Sequence, residues 1–129
     1  MVCVIMQSSV KKGGPPVKLL FHPDRADIHL STVLNALSDP IRLLIVSELY
    51  QAGERPCGDI NVPVVKSTAS HHIKTLRESG IVQVRPHGTQ RIVALRAEDL
   101  NLRFPGLLAS ILEAFEHSEE KSKLLNPGS

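Results

Sequence analysis

The apolar repeat of this chain changes period at Gly80. Before that glycine, apolar residues recur every three or four positions: Leu30, Val33, Leu34 and Leu37, then Ile41, Leu44, Ile45 and Leu49, then Ala69, Ile73 and Leu76. Such spacing lines one face of a helix in each set. After it, Ile81-Val82-Gln83-Val84-Arg85 and Gln90-Arg91-Ile92-Val93-Ala94-Leu95-Arg96 read as two strands around the turn-forming Pro86-His87-Gly88-Thr89. A last helical face follows, built from Leu107, Leu108, Ile111, Leu112 and Phe115. Helix boundaries are written in the punctuation: Asp39 is a good N-cap, Pro40 suits the first helical position, and Gly53 and Gly80 are C-terminal stops. The fold class expected is mostly α with a small β-hairpin, about five helices in all.

Length fits one domain, and 42% hydrophobic with 22% charged residues is ordinary for a folded chain. No apolar run reaches the roughly 18 residues a membrane span requires. The opening Met1 to Met6 lacks the basic flank and the length of a signal peptide, so the expected location is the cytoplasm, at the nucleoid. Cys3 and Cys57 form no disulfide framework and are expected to be reduced thiols. Lys11-Lys12-Gly13-Gly14-Pro15-Pro16 breaks any helix or central strand, and residues 1–23 are read as a flexible arm, 24–117 as the domain and 118–129 as a tail.

Charge is unevenly placed. Residues 66–96 carry six cations against Glu78 alone, a balance of +5, whereas residues 97–120 carry six carboxylates against Arg103, a balance of −5. A concentrated basic stretch marks a polyanion-binding surface. With no Trp, one Tyr and three Phe there is no aromatic platform for stacking unpaired bases, which favours duplex DNA over single strands.

The order helix, helix, short helix over Asp59 to Val62, polar-faced helix, basic hairpin, helix is that of a winged helix-turn-helix, whose second motif helix enters the major groove while the hairpin reaches neighbouring phosphates. On the helix expected over Ser67 to Ser79, Thr68, His71, Lys74 and Thr75 face outward, with Ser70 and Arg77 on the flanks. The residues expected to touch DNA are Lys66, Ser67, Thr68, Ser70, His71, Lys74 and Arg77 on the helix, and Arg85, His87, Thr89, Gln90 and Arg91 on the wing. His72 lies nearer the inner face, where a bond to a neighbouring helix is at least as good a reading as a base contact.

Two segments carry a specific resemblance: Leu37-Ser38-Asp39-Pro40-Ile41-Arg42, and Lys66 through Val82 with its Ser67-Thr68-Ala69-Ser70-His71-His72-Ile73-Lys74 core. Together with Gly88-Thr89-Gln90-Arg91 and Arg103-Phe104-Pro105-Gly106, they resemble the ArsR family of bacterial regulators over about residues 27–115. The resemblance implies a homodimeric repressor that binds an inverted-repeat operator and releases it when an effector binds. Val65 stands where many members have Ser or Thr, which removes a cap and moves the expected helix start to Ser67. Pro56 and Gly58 stand where metal-sensing members place cysteines, and His117-Ser118-Glu119-Glu120 supplies only half of the family's second site, so no metal and no cofactor are expected.

Cys57 supports two readings, a redox-responsive thiol near a helix start and an idle buried cysteine, and the second is the commoner outcome. A winged helix serving as a protein-interaction module is a further alternative. Catalysis by Cys57 or Ser70 with a neighbouring histidine is disfavoured, because neighbours on one helix point apart and no oxyanion loop is present. The dimer is expected to close through Leu107, Leu108, Ile111, Leu112 and Phe115, with the Leu30 to Leu37 helix adding to the interface.

Overall fold

Asp39 sets the central corner of the molecule: its carboxylate accepts from the Ile41 and Arg42 amides at 2.8 and 3.1 Å, and Pro40 follows at the first helical position. In this computed structural model, which describes residues 20–126, that cap joins α1 (Leu30–Ala36) to α2 (Pro40–Ala52). Of the arm expected over residues 1–23, residues 1–19 lie outside the described residues. The strand β1 (Arg55–Pro56) and a single 3-10 turn at Cys57–Asp59 lead to α3 (Lys66–Glu78), then β2 (Val82–His87), β3 (Gln90–Leu95), α4 (Ala97–Arg103), α5 (Leu107–Glu116) and α6 (Glu119–Leu125).

The helix at the core of the fold is α2, which buries Leu44, Ile45, Val46, Ser47 and Leu49. Helix α3 lays Ile73 and Leu76 against the same core. Gly80 stops α3 with φ +90°, and a Cβ there would lie 2.6 Å from Cγ1 of Ile28, so both the backbone angle and the close approach require glycine. The hairpin is tighter than the sequence implied. Strand β2 runs through Pro86 to His87, and only Gly88 and Thr89 form the turn, with Gly88 at φ +64° in the first turn position as a type II′ turn takes. Pro86 is accommodated because the sheet order is β1-β3-β2, which leaves β2 at an edge.

Several expectations are corrected. The hairpin gains a third strand, since Arg55 and Pro56 pair with Val93 and Ile92. In place of the short helix over Asp59 to Val62 stands the 3-10 turn at Cys57–Asp59, one of two among the described residues with Arg25–Asp27, and the chain is already extended at Ile60. On α1 only Val33 and Ala36 are buried, with Leu37 just beyond the helix, while Leu30 and Leu34 stay 45% and 43% exposed. The tail contains α6, capped by the Ser118 hydroxyl, which accepts from the Lys121 amide at 3.2 Å.

Residues 20–28 are not a loose continuation of the arm. Arg77 donates to the Phe21 carbonyl at 2.8 Å, Arg96 to that of Pro23 at 2.8 Å, and Arg103 to that of Ile28 at 2.6 Å. The His22 Nε2 accepts from the Val84 amide of β2 at 3.0 Å. Arg25 and Arg96 both bind Asp99, whose carboxyl is held below its ordinary range chiefly by the Arg25 bond.

Candidate nucleic-acid interface

Helix α3 begins at Lys66, one residue before the expected start, with Val65 as an N-cap that supplies no side-chain bond. Its first-turn amides are therefore uncapped and, with Val65 itself 68% exposed, face outward. Free amides at a helix start carry partial positive charge suited to a phosphate. The inward stripe is Ile73, Leu76 and Arg77; the outward residues are Lys66, Ser67, Thr68, Ser70, His71 and Lys74, all exposed. These combine short hydroxyls, an imidazole and two cations along one solvent-facing surface, the residue types that read base edges and hold phosphates.

His72 is half-buried rather than presented with that row. Its Nδ1 accepts from the Arg42 guanidinium at 3.1 Å, and Arg42 in turn donates through Nε to the Ala36 carbonyl at 2.6 Å. Burial, helped by the charges of Arg42 and His71 and opposed by Asp39, lowers the His72 pKa below its ordinary value. The neutral ring suits its role as acceptor from a guanidinium. The inner-face reading of His72 therefore holds, with the ring accepting rather than donating. This links the Asp39 corner to the reading helix through one arginine.

On the wing, His87, Thr89, Gln90 and Arg91 are all exposed at the hairpin tip. Arg85 is placed differently: its two terminal nitrogens reach the two carboxylate oxygens of Glu54 at 3.0 and 2.9 Å. The bond to Arg85 lowers the Glu54 pKa. In the DNA-free protein this cation is therefore neutralised by a partner 31 residues away in sequence. Arg77, expected on the flank of the reading helix, is corrected: it is 8% exposed and turned inward, with a bond to Phe21. Its position four residues after Ile73 explains this, since that spacing returns to the same helix face.

The expected dimer surface is also corrected. Leu108, Leu112 and Phe115 are 3 to 4% exposed and belong to the interior of a single chain, while Leu107 and Ile111 are half-buried. Large apolar side chains left in solvent include Leu30 and Leu34 of α1 and Leu102 of α4, besides Phe21, Tyr50, Val65 and Leu125 elsewhere on the chain. Val33 and Leu37 share a small apolar crevice with Leu100, Phe104 and Leu107, so α1, α4 and α5 adjoin on one side of the molecule.

Among the described residues no three His, Cys, Asp or Glu side chains converge as a metal site would require. Nor is any single helix there long and apolar enough to cross a membrane.

Comparison with known proteins agrees with this geometry. The model of the bacterial regulatory protein, arsR family, matches residues 39–84, from the cap of α2 through the first half of β2. The chain is 39% identical over 82 residues to the HTH-type transcriptional regulator YceK of Bacillus subtilis (strain 168), covering 61% of this chain and 82% of that one. To the arsenical resistance operon repressor of Staphylococcus xylosus it is 36% identical over 74 residues, which is 56% of this chain and 70% of the relative. Among solved structures, the transcriptional repressor BigR from Xylella fastidiosa superposes with a TM-score of 0.54 at 29% identity over 67% of this chain and 85% of that one. With an Asp-capped corner, a polar-faced α3 and a β2–β3 hairpin in one frame, the chain belongs to the ArsR family of bacterial DNA-binding transcriptional regulators.

Proposed function

We propose that this regulator is a homodimeric repressor that grips an inverted-repeat operator with α3 in the major groove and the β2–β3 wing on flanking phosphates, and that a small effector other than a metal releases it. The observation that carries the reading is the unbroken exposed row Lys66, Ser67, Thr68, Ser70, His71 and Lys74 beside an exposed wing tip. One such row covers one half-site, and two of them must sit about 34 Å apart to match one DNA turn. The exposed Leu30 and Leu34 stripe of α1, with half-buried Leu107 and Ile111 of α5, supplies the apolar area for a two-fold contact. Pro56 and Gly58 flank Cys57 where a thiolate metal site would need cysteines, which supports a non-metal effector.

Selection of duplex DNA by the purified chain, followed by variants, tests the assignment. Arg91→Ala should weaken all sequences alike, whereas Ser70→Ala or His71→Ala should change the preferred site at a cost of about 1 to 3 kcal/mol. If none of the three alters binding, the reading face is misassigned. Leu34→Glu, at an exposed position, should leave the fold intact and halve the sedimenting mass; an unchanged dimer would place the contact elsewhere.

A further inference from the structure

Ser70, Lys74 and Arg77 fall at i, i+4 and i+7 of α3, a stripe that leads from two members of the exposed row to the inward-turned Arg77. Opposite it stands Arg91 of β3, and between them opens a cleft of about 240 Å³ floored by Ile73 and Val84. Three cations and a hydroxyl line this cleft, and no carboxylate does.

Arg77 is the informative member. A guanidinium that is 8% exposed is costly to bury unless an anion compensates it, yet among the described residues it makes no ion pair. The chain before Asp24 contains no Asp or Glu that could serve. Of its five N–H donors, one bond goes to the Phe21 carbonyl. The remaining guanidinium nitrogens are not sealed in protein either, because the one enclosed side-chain nitrogen without a partner among the described residues is Nε of Arg55. Arg77 thus has donors that are not enclosed, and it lines the cleft. Two carboxylates lie nearby without lining the cleft: Asp59 borders the adjoining cleft on the other side of Cys57 and Arg91, and Glu78 is exposed at the end of α3.

We infer that the cleft between α3 and the wing is a binding site for a small phosphate-like oxyanion. Arg77 is its buried anchor, Lys74 and Arg91 close over it, and the Ser70 hydroxyl donates to it. The volume holds such an ion with several waters, given about 30 Å³ for each water in the liquid. Ile73 and Val84 keep the local dielectric low, which strengthens each charge-assisted bond. The regulatory consequence rests on the proposed operator reading: Lys74 and Arg91 cannot hold this ion and a DNA phosphate together, so the bound ion competes with the operator.

The probe is inorganic phosphate, titrated calorimetrically into the full chain without DNA, with ionic strength held constant by sodium chloride. One saturable site per subunit is expected, and Arg77→Met should weaken it by about tenfold or more. Should Arg77→Met fail to fold, Lys74→Met and Arg91→Met, at exposed positions, should each weaken it by several-fold. Heats that match the chloride control overturn the site, as does a folded Arg77→Met chain, or the pair of surface variants, binding phosphate like the parent. In a second arm phosphate should lower affinity for duplex DNA beyond the matched chloride control; saturable phosphate binding with unaltered DNA affinity overturns the competition. A chain that binds phosphate one to one but no DNA supports the site and removes the operator reading alone, so the two failures are distinguishable.

Discussion

Replacing Glu54 by Gln should make this protein bind DNA more tightly. Of the six cations in residues 66–96, Arg77 is turned inward, Arg96 is tied to Asp99 and the Pro23 carbonyl, and Arg85 is held by Glu54. Lys66, Lys74 and Arg91 are the exposed cations of this stretch without a carboxylate partner among the described residues. Three phosphate contacts per half-site correspond to a slope of about −2.7 in log affinity against log salt, at about 0.9 per contact. Glu54→Gln removes both the clasp on Arg85 and a carboxylate that repels the phosphates, so a fourth contact should form and steepen the slope to about −3.6. At 0.1 M salt, counterion release from one added contact corresponds to about an eightfold gain per half-site. The clasp is exposed at both ends, with side chains 47% and 50% accessible, so folding is little affected by its loss. Fluorescence anisotropy on a labelled duplex, taken from 50 to about 400 mM salt, measures slope and affinity together. An unchanged slope with equal or weaker affinity would show that Arg85 never reaches the backbone, and the wing contact would then rest on Arg91.

Gly80→Ala should destabilise the fold by about 3 kcal/mol or more in a urea melt, because the left-handed backbone and the 2.6 Å approach to Ile28 act together; a loss under about 1 kcal/mol would mean that Ile28 moves freely. Asp39→Ala should cost about 1 to 2 kcal/mol through loss of the α2 cap. It should also weaken DNA binding through Arg42 and His72; a change confined to stability would uncouple that corner from the reading helix. His22 is held neutral in the folded chain by burial, aided by the charges of Arg77 and Arg96 and opposed by the Leu20 carbonyl. Its pKa is thus lower folded than unfolded, so stability is complete above about pH 7 and falls as pH drops below the ordinary histidine value of about 6.5. His72 contributes with the same sign. Urea midpoints at descending pH should fall, and His22→Gln should flatten part of the decline; a level profile would refute the role of the Val84 bond.

Features encoded by neighbouring residues were legible in the sequence. The Asp39-Pro40 corner, the Gly80 stop and the outward polar row of α3 each depend on spacing within a few positions, and local geometry determines them. The Leu30 to Leu37 stripe was legible as one apolar face of a helix, but helical spacing does not reveal what lies opposite, and Val33 and Leu37 turn to the core while Leu30 and Leu34 stay in solvent. Arg77 was placed on the flank of the helix, although its spacing of four from Ile73 returns it to the inward face. Strand β1 spans two residues and has no period to detect, and Glu54 meets Arg85 through a fold contact that no local pattern encodes. The face of α5 offered for a dimer is divided for the same reason: Leu108, Leu112 and Phe115 are buried within the single chain, and the sequence shows only that α5 is apolar.

Both rims of the three-stranded sheet carry a proline, Pro56 in β1 and Pro86 in β2. A proline has no amide hydrogen to offer an incoming strand, so neither rim can template a fourth. Strand-by-strand growth into a filament is therefore disfavoured on both sides. The Val84 amide of the β2 rim is moreover already taken by His22, so the sheet can stand at the surface with few amides left to offer a neighbouring strand.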